Sequence, residues 1–180
     1  MNTLLGVSRI IDALNARVGR AAYWLVLAAV LVSAGNAVSR KAFSMSSNAW
    51  LELQWYLFSG VFLLCAGYTL LRDGHVRIDV LAGRLSPRAM AWVDVFGTVF
   101  FLLPMAAIFV YLSIPIFLRT FTQDEISASA GGLPLWPARL LVPIGFSLLA
   151  LQGVSEFIKR VAFLRGLGPD PRAARAENAS

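Results

Sequence analysis

The sequence predicts an all-α integral membrane protein: four transmembrane helices preceded by an N-terminal amphipathic interfacial helix, with both termini cytoplasmic. Three observations predict it. The 180-residue chain is 58% hydrophobic and 14% charged, whereas soluble domains carry about a quarter charged residues; its mean hydropathy is +0.68. The apolar residues gather into long uncharged runs, Ala21 to Ser39, Leu53 to Leu71, Val95 to Leu118, and a shorter Leu140 to Ser155 extended upstream by Leu133, Leu135 and Trp136. A helix needs roughly 20 such residues, at ~1.5 Å each, to cross ~30 Å of hydrocarbon. Finally, the basic residues alternate between connections. Arg9, Arg17, Arg20, Arg72, Arg77, Arg84, Arg88, Lys159, Arg160, Arg165, Arg172 and Arg175 fall on one side of a four-span chain, and only Arg40, Lys41, Arg119 and Arg139 on the other. Positive residues are retained in the cytoplasm, which places both termini there.

Residues 1–166 form a single membrane domain. Within 1–20, Leu4, Val7, Ile11, Leu14 and Val18 recur every three or four residues and leave Arg9, Asp12, Arg17 and Arg20 on other faces. This is an amphipathic helix with a basic side, expected to lie in the membrane interface with Arg9, Arg17 and Arg20 against the lipid surface. Val32-Ser33-Ala34 loosely resembles a signal cleavage site, but the preceding segment is too long and too patterned for an ordinary leader, so the first span, about 21–39, is kept. The second span covers about 50–71 and the third about 89–118. Asp73-Gly74 is a turn signal between them, and Ser86-Pro87 fits an N-cap followed by proline at the first helical position. Pro104 and Pro115 each remove a backbone donor, so the third span is expected to bend or break near its outer end. The next loop, TFTQDEISASAGGLPLWP, reads as an ordered excursion that returns through Leu133 to Pro137 into a fourth span at about 136–158. Residues 167–180 have little to bury and are expected to form a disordered cytoplasmic tail.

The chemistry such a chain can perform is narrow. His75, the only histidine, lies in a connecting hairpin and cannot supply the two facing axial ligands of a transmembrane b-type haem. The single cysteine, Cys65, permits neither an intramolecular disulfide nor a Cys-based metal cluster. No serine sits in a nucleophile elbow with a base beside it. No enzyme activity, cofactor or metal is therefore expected. The net charge of +6 and pI ≈ 10.2 follow from the cytoplasmic excess and do not call for nucleic acid.

Polar residues at membrane depth are few, and they usually face protein. Glu52 is expected to pair with Arg40 or Lys41 or with another chain, and Asp94 has Arg84 and Arg88 within reach. Small residues Gly35, Gly60, Gly67 and Gly97 would permit close helix approach within the bilayer. So small a chain, with no repeated half, reads as a subunit.

The residues in SAGNAVSRKAF, SNAWLELQWYLF, GHVRIDVLAGRLSPRA and SASAGGLPLWPARLLVPIGFSLLALQG resemble, in order and spacing, the small DctQ-like membrane subunit of tripartite ATP-independent periplasmic (TRAP) transporters. The last of them is similar to the branch labelled mannitol or chloroaromatic-compound type. One departure is visible: members often place two adjacent carboxylates at the start of span two, and here Glu52 is followed by Leu53 and Gln54. The resemblance implies a non-catalytic subunit of the bacterial inner membrane. It would brace a large transport subunit and help dock a transiently bound periplasmic solute-binding protein, for ion-gradient-driven uptake of an organic anion, usually a carboxylate. Candidate interface residues are Trp50, Glu52, Gln54, Trp55, Gly60 and Gly67, with His75, Arg77 and Asp79 at the inner side. The alternative, a membrane anchor of a respiratory or quinone-linked enzyme, is opposed by the missing second haem histidine.

Overall fold

A computed structural model describes residues 2–44, 47–72 and 85–171. Among them four helices are long and apolar enough to cross a membrane: α1, Asn2–Phe43; α2, Asn48–Leu71; α3, Pro87–Thr122; and α4, Trp136–Leu164. His75, Arg77, Asp79, the Asp73-Gly74 turn and most of the expected tail lie outside the described residues.

The helix limits follow from local chemistry. Ser47 caps α2, its side chain accepting from the Ala49 N–H, and Ser86 caps α3 by accepting from Ala89, with Pro87 in the first turn as the sequence indicates. α3 stops where Asp124 takes a left-handed φ of 46° and the Glu125 N–H reaches back to the Thr120 carbonyl. α4 ends in the same way at Gly166, φ 70°, with Leu167 bonded to Ala162 and Gly166 to Phe163.

Two features differ from the sequence expectation. The amphipathic segment and the first span form one unbroken helix of 42 residues, ~63 Å long. And α3 continues through Pro115; its irregularity is a π turn, Thr98–Leu102, in which the Leu103 N–H bonds to Thr98. Pro104 follows directly. A proline ring collides with the carbonyl four residues back, and the wider turn just ahead of it absorbs that conflict without breaking the helix.

α4 is the centre, packing against all three other helices. In its most apolar stretch 44% of residues are buried, against 11% in each of the others. α1 and α2 form an antiparallel pair against it, and α3 lies on it through stacked Phe109 and Phe146, 4.4 Å between centroids. Glycines set these approaches. A Cβ on Gly145 would stand 2.7 Å from Leu63 Cβ and 2.8 Å from its carbonyl oxygen, and one on Gly153 would stand 2.6 Å from Leu102 of the π turn. Gly60 and Gly67, expected between subunits, are buried inside the chain, against Leu25 and Leu141 and against Asn15 and Leu148. Gly35 and Gly97 have open space around them.

Candidate functional site: a clasped loop and a buried polar seam

At one end of the bundle, the loop end, a single face of α2 holds the connection from α3 to α4. Asn48, Glu52 and Tyr56 are spaced four residues apart and so share that face. Asn48 Nδ2 donates to the Ala130 carbonyl at 3.3 Å, and the Tyr56 hydroxyl donates to the Pro134 carbonyl at 3.1 Å. Between them, the Glu52 carboxylate accepts from the Ser127 hydroxyl and from the Leu133 N–H at 2.7 Å. The expectation that Glu52 pairs with Arg40 or Lys41 is thus corrected: its hydrogen-bond partners among the described residues are groups of the loop. A carboxylate meets two donors there, the charge-assisted arrangement that makes such bonds strong.

The loop is shaped to present those donors. Ile126 and Pro134 form an isolated antiparallel bridge, the Ser127 N–H bonds to Leu133 and the Leu135 N–H to Glu125, each at 3.0 Å. The turn closes from Gly132 to Ser129, with Gly131 at φ 72° in the third position, where a side chain would be strained. At its base Arg139 donates to Glu125 at 2.6 Å and to Thr120, and Phe121 meets Trp136 edge-on. The sequence indicated an ordered excursion here. It did not indicate Asn48, Tyr56, Ser127, Thr120, Glu125 or Arg139 as its fasteners, although the i, i+4, i+8 spacing of the first two with Glu52 was the available signal.

The opposite end holds a seam that the sequence reading missed. Ser8, Asp12 and Asn15 of α1 face Gln152, Ser155, Glu156 and Lys159 of α4. The Ser155 hydroxyl donates to Asp12 at 2.7 Å and lies 2.7 Å from the Ser8 hydroxyl. Gln152 Nε2 donates to Asp12 at 2.8 Å and to Glu156 at 3.2 Å, and Lys159 bridges Asp12 at 3.0 Å and Glu156 at 2.6 Å. Ser8, Asn15, Gln152 and Ser155 are at most 1% exposed. Asp94 pairs with buried Arg160 of α4 at 3.1 Å; of the partners the sequence put within its reach, Arg84 lies outside the described residues. Asp170, in the expected tail, folds back to 3.6 Å from the same guanidinium. The stripe of Ser8, Asp12 and Asn15 is therefore packed on α4, while Leu4, Val7 and Leu14 of the apolar stripe are exposed and Ile11 is buried. Arg9 and Arg20 reach back to carbonyls of their own helix, and with Arg17 they remain exposed.

Trp50 and Trp55 are exposed near the loop end of α2, with Gln54 half-buried between them. Among the described residues no three His, Cys, Asp or Glu side chains are drawn together as a metal site.

The profile of the family described as tripartite ATP-independent periplasmic transporters, DctQ component, matches residues 29–163. The chain belongs to the DctQ family. No curated protein and no solved structure matches it. The match covers all of α2 and α3, the clasped loop and nearly all of α4, but it begins inside α1. In this DctQ chain the α4 half of the seam thus lies within the family region, and Ser8, Asp12 and Asn15 lie outside it. A transporter component with four apolar helices is a multi-pass membrane protein.

Proposed function

We propose that the chain is the non-catalytic small subunit of a TRAP-type secondary transporter in a bacterial inner membrane. It braces the large transport subunit and helps dock the periplasmic solute-binding protein during ion-gradient-driven uptake of an organic anion, a carboxylate by class. The observation that carries this reading is the clasp of Asn48, Glu52 and Tyr56 on the loop, within a chain of the DctQ family. With both termini cytoplasmic, as the distribution of basic residues argues, the clasped loop faces the periplasm and offers a fixed surface to a transient partner. A pre-ordered loop loses less conformational entropy on docking than a mobile one.

In this reading Trp50 meets the large subunit near the outer surface, with Gln54 and Trp55 beside that contact, and Glu52 acts through the loop that it shapes. His75, Arg77 and Asp79 stabilise the complex at the inner side, and Arg9, Arg17 and Arg20 meet lipid headgroups. The low burial of α1, α2 and α3 leaves wide apolar faces for the large subunit and for lipid. The test is uptake into proteoliposomes: large subunit, binding protein and this chain together should accumulate solute, and omission of this chain should abolish it. Uptake by this chain alone would contradict the proposal.

A further inference from the structure

A groove of about 610 Å³ runs between α1 and α2 toward the loop end, and the residues lining it come from these two helices. Val26, Val30 and Ser33 form one wall, and Gln54, Trp55 and Phe58 the other. Its volume falls within the ~300–1,000 Å³ of ordinary ligand sites, but its position is unusual for a water-borne ligand. Both walls belong to uncharged parts of membrane-spanning helices, so what reaches it from the surroundings is hydrocarbon.

The groove also has a direction. Its α1 residues follow a spacing of three and four, and that line continues to Arg40, two helical turns and about 10 Å beyond Ser33. Lys41 adjoins it. Both are exposed in the last turn of α1, so an apolar slot leads to a pair of cations. Ser33 and Gln54 are the polar wall residues on the side of the groove toward that pair, and Ser59 lies farther along α2.

We infer that this groove seats an acyl chain of an anionic phospholipid whose headgroup phosphate is held by Arg40 and Lys41. The apolar wall takes the chain, Ser33 and Gln54 offer donors at the level of the ester carbonyls, and the cations select for negative charge. The site uses this chain alone and does not depend on its role in a transporter.

Native mass spectrometry of the purified full chain with equal amounts of phosphatidylglycerol and phosphatidylcholine tests it. The wild type should retain one phosphatidylglycerol in preference to phosphatidylcholine. Arg40→Gln/Lys41→Gln should weaken that binding about thirty-fold, since each basic residue near the headgroup layer contributes roughly five-fold. Ser33→Trp should fill the slot and lose both lipids with its helical circular dichroism intact; if that variant misfolds, the charge variant alone decides. Equal retention of the two lipids by the wild type, or unaltered preference in the charge variant, would overturn the inference. A photo-crosslinker at Val30, in the complex with a large subunit, should label lipid. Labelling of a large-subunit helix would assign the groove to that partner and overturn it equally.

Discussion

The loop end and the terminal end of the bundle both fasten one element to another with polar groups, under opposite conditions of solvation. At the loop end the fasteners are partly exposed, and a single carboxylate, Glu52, holds a backbone N–H and a hydroxyl. Water can replace these bonds when they open, so the clasp governs the shape of a surface more than the stability of the fold. At the terminal end Asp12, Glu156, Lys159, Arg160 and Asp94 are drawn between helices, with Gln152 and Ser155 wholly buried. There Arg160 and Glu156 are almost wholly withdrawn from solvent and Asp12, Lys159 and Asp94 largely so, and the same kind of contact becomes a condition of assembly. The polar seam of α1 thus fixes the first helix on α4 in one register, whereas the clasp fixes only a loop.

That contrast is broken most forcefully at Arg160. Arg160→Leu leaves the Asp94 carboxylate inside without its cation and should destabilise the protein by ~3–5 kcal/mol. Thermal unfolding in detergent should show a large fall in midpoint, and Asp94→Leu/Arg160→Leu should recover most of it. A fall in the double variant as large as in the single one would show that the pair is not what couples α3 to α4.

Gly145→Ala comes next. Its new methyl group meets the Leu63 backbone, which cannot rotate away, and overpacking of this kind costs about 1–3 kcal/mol. Gly97→Ala, with open space around it, should be neutral or slightly stabilising and serves as the control. The same detergent melts compare the two.

How much of this was legible beforehand depends on what each feature requires. The spans were legible because twenty uncharged residues have few soluble uses, and the α3 start because Ser86-Pro87 combines a cap with a fixed φ. The continuity of α1 was not, since a change from charged to uncharged residues does not interrupt a backbone hydrogen-bond ladder. Nor was the seam. Asp12 was grouped with Arg9, Arg17 and Arg20 as the solvated side of an amphipathic helix, and only the packing of Ser8 and Asn15 on α4 reverses that view. Matching polar stripes on the first and last helices, Ser8-Asp12-Asn15 and Gln152-Ser155-Lys159, were the signal in the sequence. Glu52 was singled out correctly as a polar residue needing a partner, but sequence distance favoured Arg40 over a loop some 80 residues away.

Glu52→Ala should have a moderate effect confined to the loop. It leaves the Leu133 N–H and the Ser127 hydroxyl without their acceptor, a loss confined to the loop. Hydrogen exchange at Leu133 should accelerate while that of α4 stays unchanged; acceleration throughout the bundle would show that the clasp supports the fold as well. The smallest effect belongs to Arg9→Gln/Arg17→Gln/Arg20→Gln. These side chains are exposed, so each change should alter stability by less than about 0.5 kcal/mol. Flotation with anionic vesicles should nonetheless fall, and unchanged flotation would remove them from the lipid contact.

The central claim is that this chain works as the fixed small partner of a larger transport subunit. The most direct measurement is a mild-detergent pull-down of the tagged chain, expressed with its chromosomal neighbours and followed by mass identification. Recovery of a much larger polytopic membrane protein in stoichiometric amount is the predicted result. Recovery of the chain alone, or with a redox enzyme, would contradict it.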